Sequence, residues 1–163
     1  MQERIFREAQ ALPAVSLSSV MAYQAAIDNL RAQVDTALAA HPDILALIGF
    51  SPLEMMQVNH RHHVQFMATV FRFRAYTLLP KVVVWVYRSY HKHGFSYDYF
   101  PLELRAWQTA IADQLPAAAA KEIHLIYQWL LDHHKEFCEL ADSETYTTFS
   151  TEFDSQDQMR ILL

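Results

Sequence analysis

Histidine and tyrosine side chains concentrate in two places along the chain, and both places hold the residue types that bind metals or polar ligands. The stretch RSYHKHGFSYDYF, residues 88–100, carries Tyr90, His91 and His93 just ahead of Gly94, one of only two glycines. It directly follows the apolar run VVVWVY. Neutral imidazole is a common metal ligand, and tyrosinate holds haem iron in catalase. The same residues equally suit a buried helix end whose rings face inward and whose polar tips bond outward. The second place is NHRHHVQF, residues 59–66. There His60 and His63 share one helix face at i and i+3, either as ligands or as ordinary hydrogen-bonded side chains.

Spacing removes several chemistries. A bundle di-iron site needs a carboxylate three residues before a histidine, and no Asp or Glu here has that partner. No histidine has His or Glu at i+4, which removes the paired ligands of zinc hydrolases. Neither glycine sits in a phosphate-cradling loop or a nucleophile elbow. Cys138 lies one helical turn after His134, either as a nucleophile beside its base or as a small core filler. Being the lone cysteine, it allows no internal disulfide and no Cys-based zinc cluster, which fits a reducing compartment. Nothing in these spacings supports catalysis, so the chain reads as a non-enzyme.

Holding these side chains in place is a task for helices. Glycine is nearly absent, and Pro13, Pro42, Pro52, Pro80, Pro101 and Pro116 divide the chain into segments of helical length. SPLE at 51–54 has the form of a capping box, in which Ser51 and Glu54 satisfy each other's orphan N–H groups. A helix over 52–76 is expected to follow. AYQAAIDNLRAQVDTALAA sets Ala26, Leu30, Val34, Ala37 and Leu38 on one stripe, ended by Pro42. Further helices are expected in PKVVVWVYRSYHKH, stopped by Gly94, in PLELRAWQTAIADQL, and in AAAAKEIHLIYQWLLDHHKEFCELA. In the last, Ile123, Tyr127, Leu130, His134 and Phe137 share a face. The β-branched run 82–84 has no second strand to pair with, and Trp85, Trp107 and Trp129 read as core.

The expected architecture is therefore all-α, a single domain over 1–142 with about six to seven helices. Residues 143–163, acidic and Ser/Thr-rich, read as an extension or linker. The charged start and the absence of a long apolar run predict a cytoplasmic protein with no membrane span. Between residues 55 and 97 there is no Asp or Glu, while Arg61, Arg72, Arg74, Lys81, Arg88 and Lys92 all fall there. A basic centre in a chain of net charge −5 predicts either an anionic ligand or pairing with the acidic flanks. The overall acidity argues against a nucleic-acid partner.

The order of these segments resembles the globins. VDTALAAHPDILALIG is similar to the globin region where a helix ends in an HPE-type turn, and VYRSYHKHGFSYDYFP to the proximal helix and its corner. LELRAWQTAIADQL and KEIHLIYQWLLDHHKEFCEL are similar to the last two globin helices. The best fit is to bacterial globin sensor domains, over roughly 17–142. The resemblance places Tyr90 where globins carry the iron-binding histidine, Ile48 where they carry a haem-packing phenylalanine, and His60 near the distal position. His91 and His93 are displaced from the ligand position.

These departures imply a globin-fold sensory or ligand-binding module without conventional haem, such as occurs in bacterial stress signalling. One alternative is a haem protein with shifted ligation, His91 or His93 below the iron and His60 or His63 above. Another is a structural dimerising bundle without ligand. A pocket around His60 and Tyr90 is expected to be lined by Phe66, Met67, Val70, Val83 and Val86. Arg88 and Lys92 are expected at its mouth, meeting the carboxylate of a small hydrophobic or anionic ligand. The resemblance further implies a homodimer paired through a helix over 121–140, where IHLIYQWLL has apolar residues to spare.

Overall fold

In the computed structural model, which describes residues 1–143, the chain is an all-α bundle of eight helices and one 3₁₀ turn, with no strand among the described residues. The helices are α1 (Gln2–Gln10), α2 (Leu17–Ala39), α3 (Ile44–Ile48), α4 (Leu53–Phe73), α5 (Leu79–Lys92), α6 (Tyr99–Gln114), α7 (Ala117–Asp132) and α8 (His134–Asp142). The 3₁₀ turn, Tyr76–Leu78, joins α4 to α5. The acidic extension lies, beyond Ser143, outside the described residues. No described helix is long and apolar enough to cross a membrane.

Three boundaries differ from the expected ones, each for a local reason. The helix expected over 52–76 stops at Phe73, because Arg74 turns left-handed at φ 53° and its N–H closes on the Val70 carbonyl. The capping box does not form. The Ser51 hydroxyl instead donates to the His93 carbonyl at 2.6 Å, tying the start of α4 to the end of α5. The last long helix breaks at His133, whose Nδ1 donates to the Trp129 carbonyl at 2.8 Å. That break, together with short α1 and α3, raises the helix count above six to seven.

α2 is the central strut, packing on α4, α6 and α7. Its stripe is as predicted at Leu30, Val34 and Leu38, which are buried, while Ala37 is exposed. Tyr23 extends the same face. Its hydroxyl meets that of Tyr127 at 3.1 Å across the α2–α7 contact. Trp107 is wholly buried, and Trp129 is buried with it. The apolar surplus of α7 is used inside the chain: Ile123, Ile126, Tyr127, Trp129 and Leu130 are all buried, leaving Leu125 as that helix's exposed large apolar side chain.

The chain's two glycines meet where α3 and α5 end. A Cβ on Gly49 would come within 2.4 Å of the Gly94 carbonyl oxygen, and both glycines have positive φ. Phe50 lies over Gly94, so a side chain there would strike its ring. This close approach fixes the end of α5, and with it Tyr90.

Candidate functional site: a cavity between α4 and α5

α4 packs on α2, whereas α5 packs on α8, α1 and the 3₁₀ turn, and α4 and α5 scarcely touch each other. The wedge between them forms a partly open cavity of about 270 Å³, with Val82, Val83, Trp85 and Val86 half-buried along it. Phe66 and Met67 line it from α4, Val82, Val83, Trp85 and Val86 from α5, and Phe100, Leu104 and Leu130 close the far side. Of the wall expected from the sequence, Phe66, Met67, Val83 and Val86 are in place. Val70 is fully buried outside that lining. The walls are apolar, as in pockets that hold small molecules by burial and orient them with a few polar groups.

Tyr90 enters this cavity because of how α5 ends. The Phe95 N–H bonds the Tyr90 carbonyl at 3.1 Å and the Gly94 N–H bonds the His91 carbonyl at 3.0 Å, the two bonds of a Schellman motif. Gly94 supplies the required positive φ of 98°. The hydrophobic contact that accompanies such motifs is the Tyr90–Phe95 pair, edge to face at 5.0 Å. Phe95 packs in the same way on Tyr99, at 4.9 Å. Tyr90 is 8% exposed, lines the cavity, and makes no hydrogen bond to a described residue. Burial, and then the nearby charge of Glu103, push its phenol above the ordinary range.

Other polar side chains line the same space, among them Glu103, Asn59, His63 and His62. Glu103, 3% exposed on α6, accepts from Asn59 Nδ2 at 3.1 Å and from Trp107 Nε1 at 3.2 Å. Desolvation raises its carboxyl above the usual range, against the opposing pull of His60 and of these two donors. Asn59 lines the cavity beside it. His63 Nε2 meets the Tyr127 hydroxyl at 3.0 Å, and burial, with His60 nearby, lowers its pKa to about 3. His62 also lines the cavity; burial and the neighbouring Arg61 lower its pKa, and its buried Nδ1 has no partner. At neutral pH these imidazoles are uncharged.

The remaining nominated residues sit elsewhere. His60 is wholly buried between α2 and α6 and does not line the cavity. Its Nδ1 lies 2.6 Å from Asp35 Oδ1, a carboxylate that can only accept, so that nitrogen carries a proton. Its Nε2 is 2.8 Å from the Tyr99 hydroxyl. His91 donates from Nδ1 to the Phe95 carbonyl at 2.8 Å and stacks on Tyr97, while His93 donates to the Ser89 carbonyl at 2.7 Å. Neither lines the cavity. Ile48 is fully buried at the end of α3.

Arg88 is not at the mouth of this cavity. Its guanidinium donates to the carbonyls of Leu140, Ala141 and Ser143 at 2.9–3.1 Å, serving the C-terminal end of α8. Lys92 faces the same outer groove, away from the α4–α5 wedge. The acid on the cavity wall is Glu103, and no Lys or Arg lines it.

These placements bear on haem, which the resemblance implies. Both ring nitrogens of His60 are engaged by Asp35 and Tyr99, and His91 and His93 are tied to backbone carbonyls outside the wedge. Of the donors nominated for displaced ligation, only His63 lines the wedge, with its Nε2 engaged by the Tyr127 hydroxyl, while His60, His91 and His93 lie outside it. No three described His, Cys, Asp or Glu side chains form a metal-holding group. Cys138 Sγ lies 3.7 Å from His134 Nε2, His134 Nδ1 meets the Tyr87 hydroxyl at 3.0 Å, and burial pushes the Cys138 thiol up to about 11.

Sequence reasoning missed Glu103, Asn59 and His62. A signal existed for Glu103: it falls within the apolar stripe of α6 formed by Phe100, Leu104, Trp107 and Ile111, where a solvated acid has no place. Asn59 follows from it, four residues before His63 on the same face of α4. Compared with known proteins, the chain matches no family model, and no curated protein or solved structure is significantly similar to it.

Proposed function

We propose that the chain is a globin-like, haem-independent ligand-binding module that takes a small, largely apolar molecule into the α4–α5 cavity and serves as the sensory part of a signalling protein. The observation that carries this reading is the cavity itself: about 270 Å³ of partly open space walled mainly by valines, phenylalanines and leucines. Moving an apolar surface from water into it yields roughly 25 cal/mol per Å². The ligand is uncharged in this reading, because the wall carries a buried acid and neutral imidazoles in place of the expected bases. Pairing of two copies belongs to the same proposal, with Leu125 on α7 and Leu17 and Met21 on α2 as exposed apolar side chains available to it.

The test is fluorescence titration with N-phenyl-1-naphthylamine, an uncharged dye that brightens in apolar surroundings. Saturable one-to-one binding is expected, weakened about tenfold or more by Val86→Trp, which fills the wedge. Equal binding by both proteins, or none by either, would overturn the reading. A parallel haem titration is expected to give no sharp Soret band saturating at one equivalent. A tight one-to-one haem complex would restore the haem alternative.

A further inference from the structure

The cleft between α4 and α5 is open along one side, and that side is largely apolar. His62, Phe66, Val82, Val83, Trp85 and Val86 line it and are only half-buried. Covering such surface is favourable in proportion to the apolar area removed from water. The surroundings are basic, since residues 55–97 contain no Asp or Glu. Arg61, one turn before Gln65 on the cleft, and Lys92, which shares the outer groove with Ser143, are both exposed. The ion pairs among the described residues involve Arg4, Arg31, His60 and His133 instead. Pairing with the acidic flanks, one of the two roles expected for this basic run, is thus not met for Arg61 or Lys92 within residues 1–143.

The chain itself carries a segment of the opposite character. α8 packs on α5, and Arg88 of α5 holds the carbonyls of Leu140, Ala141 and Ser143, so residues 144 onward start beside the helix that walls the cleft. From Arg88 back to Val82 is six positions, about 9 Å along the helix. The six residues from Ser143 to Phe149 can span about 20 Å, enough to pass round a helix about 10 Å wide as well. Residues 144–163 hold Tyr146, Phe149 and Phe153 among the acids Glu144, Glu152, Asp154 and Asp157, with one base, Arg160. Aromatic anchors in an acidic segment match an apolar cleft in basic surroundings.

From this complementarity we infer that residues 146–153 dock across the open side of the α4–α5 cleft, with Phe149 and Phe153 on its half-buried valines, and that an entering ligand must displace them. The docking stands on the cleft alone, whereas the competition rests on the cleft being a ligand site, as proposed above. A tether of a few residues holds the segment at a roughly millimolar effective concentration. A contact with a Kd of only about 0.1 mM is then occupied about nine-tenths of the time, which weakens a competing ligand about tenfold. Ligand entry is thereby converted into release of an acidic segment, which supplies a signal.

The experiment uses the full chain in two arms. In the first, p-benzoylphenylalanine replaces Phe149, and irradiation followed by mass spectrometry of the digest locates the cross-link. It is expected within the same chain, on cleft residues of α4 or α5. Cross-links confined to other faces, cross-linked dimers, or no cross-link would overturn the docking. In the second arm, Phe149→Ser/Phe153→Ser is expected to bind N-phenyl-1-naphthylamine about five- to tenfold more tightly than the wild type, because the competing segment has lost its anchors. Equal affinity in the two proteins would overturn the competition while the ligand reading stands. If neither protein binds the dye, the ligand reading fails and the cross-link alone decides the docking.

Discussion

Two cavity residues should give the fold opposite dependences on pH. Glu103 has its carboxyl pKa raised by burial, so above the ordinary carboxylate range the unfolded chain has released a proton that the fold still holds, and stability falls as pH rises through that window. His63 is the reverse. Its pKa is about 3 in the fold against an ordinary 6.5, so its contribution is complete above the unfolded value and is lost as pH drops below it. Thermal unfolding followed by circular dichroism should show Glu103→Gln gaining on the wild type toward about pH 8, the gap closing toward about pH 4. His63→Gln should soften the acid limb instead. Parallel curves for wild type and both variants would show that neither group is perturbed in the fold. At this scale the sequence was partly legible. His63 was identified by its spacing, whereas Glu103 was missed although it interrupts its apolar stripe. That Asp35 and Tyr99 engage His60 from two other helices is a long-range contact that periodicity cannot display.

Among the elements, the end of α5 was the most legible and Arg88 the least. Gly94 announced a helix stop, and the stop takes the form glycine favours, with Phe95 packing back on Tyr90. Arg88 and Lys92 are one turn apart near that stop, which suggested a carboxylate seat. The α5–α8 packing instead brings the guanidinium onto the carbonyls that end α8, a contact some fifty residues away in sequence. Arg88→Ala is accordingly expected to cost about 1–3 kcal/mol of stability, read from the urea midpoint, while dye affinity stays within about twofold. Arg88→Lys should recover only part of the loss, since an ammonium cannot reproduce the planar fork that reaches several carbonyls. Unchanged stability with lost affinity would return Arg88 to the ligand. The broken capping box at Ser51 has the same origin: a short-range motif lost its hydroxyl to a carbonyl brought near by the fold, that of His93.

The whole molecule was legible as a class because prolines and apolar periodicity report helices directly, and four of the five expected cavity residues lie on the wall for the same reason. The polarity of the site was not legible in this way. The basic run 55–97 is continuous in sequence, but its side chains leave the helices on different faces, and the one acid on the wall arrives from α6, outside that run. Bundle geometry, by holding α4 on α2 and α5 on α8, opens the wedge that the account depends on. Apolar cavities can take up xenon. A crystal structure of the full chain under xenon pressure tests the central claim most directly. The account predicts a xenon atom between α4 and α5, flanked by Phe66, Met67, Val83 and Val86. A wedge closed by its own side chains, with no xenon in it, would contradict it.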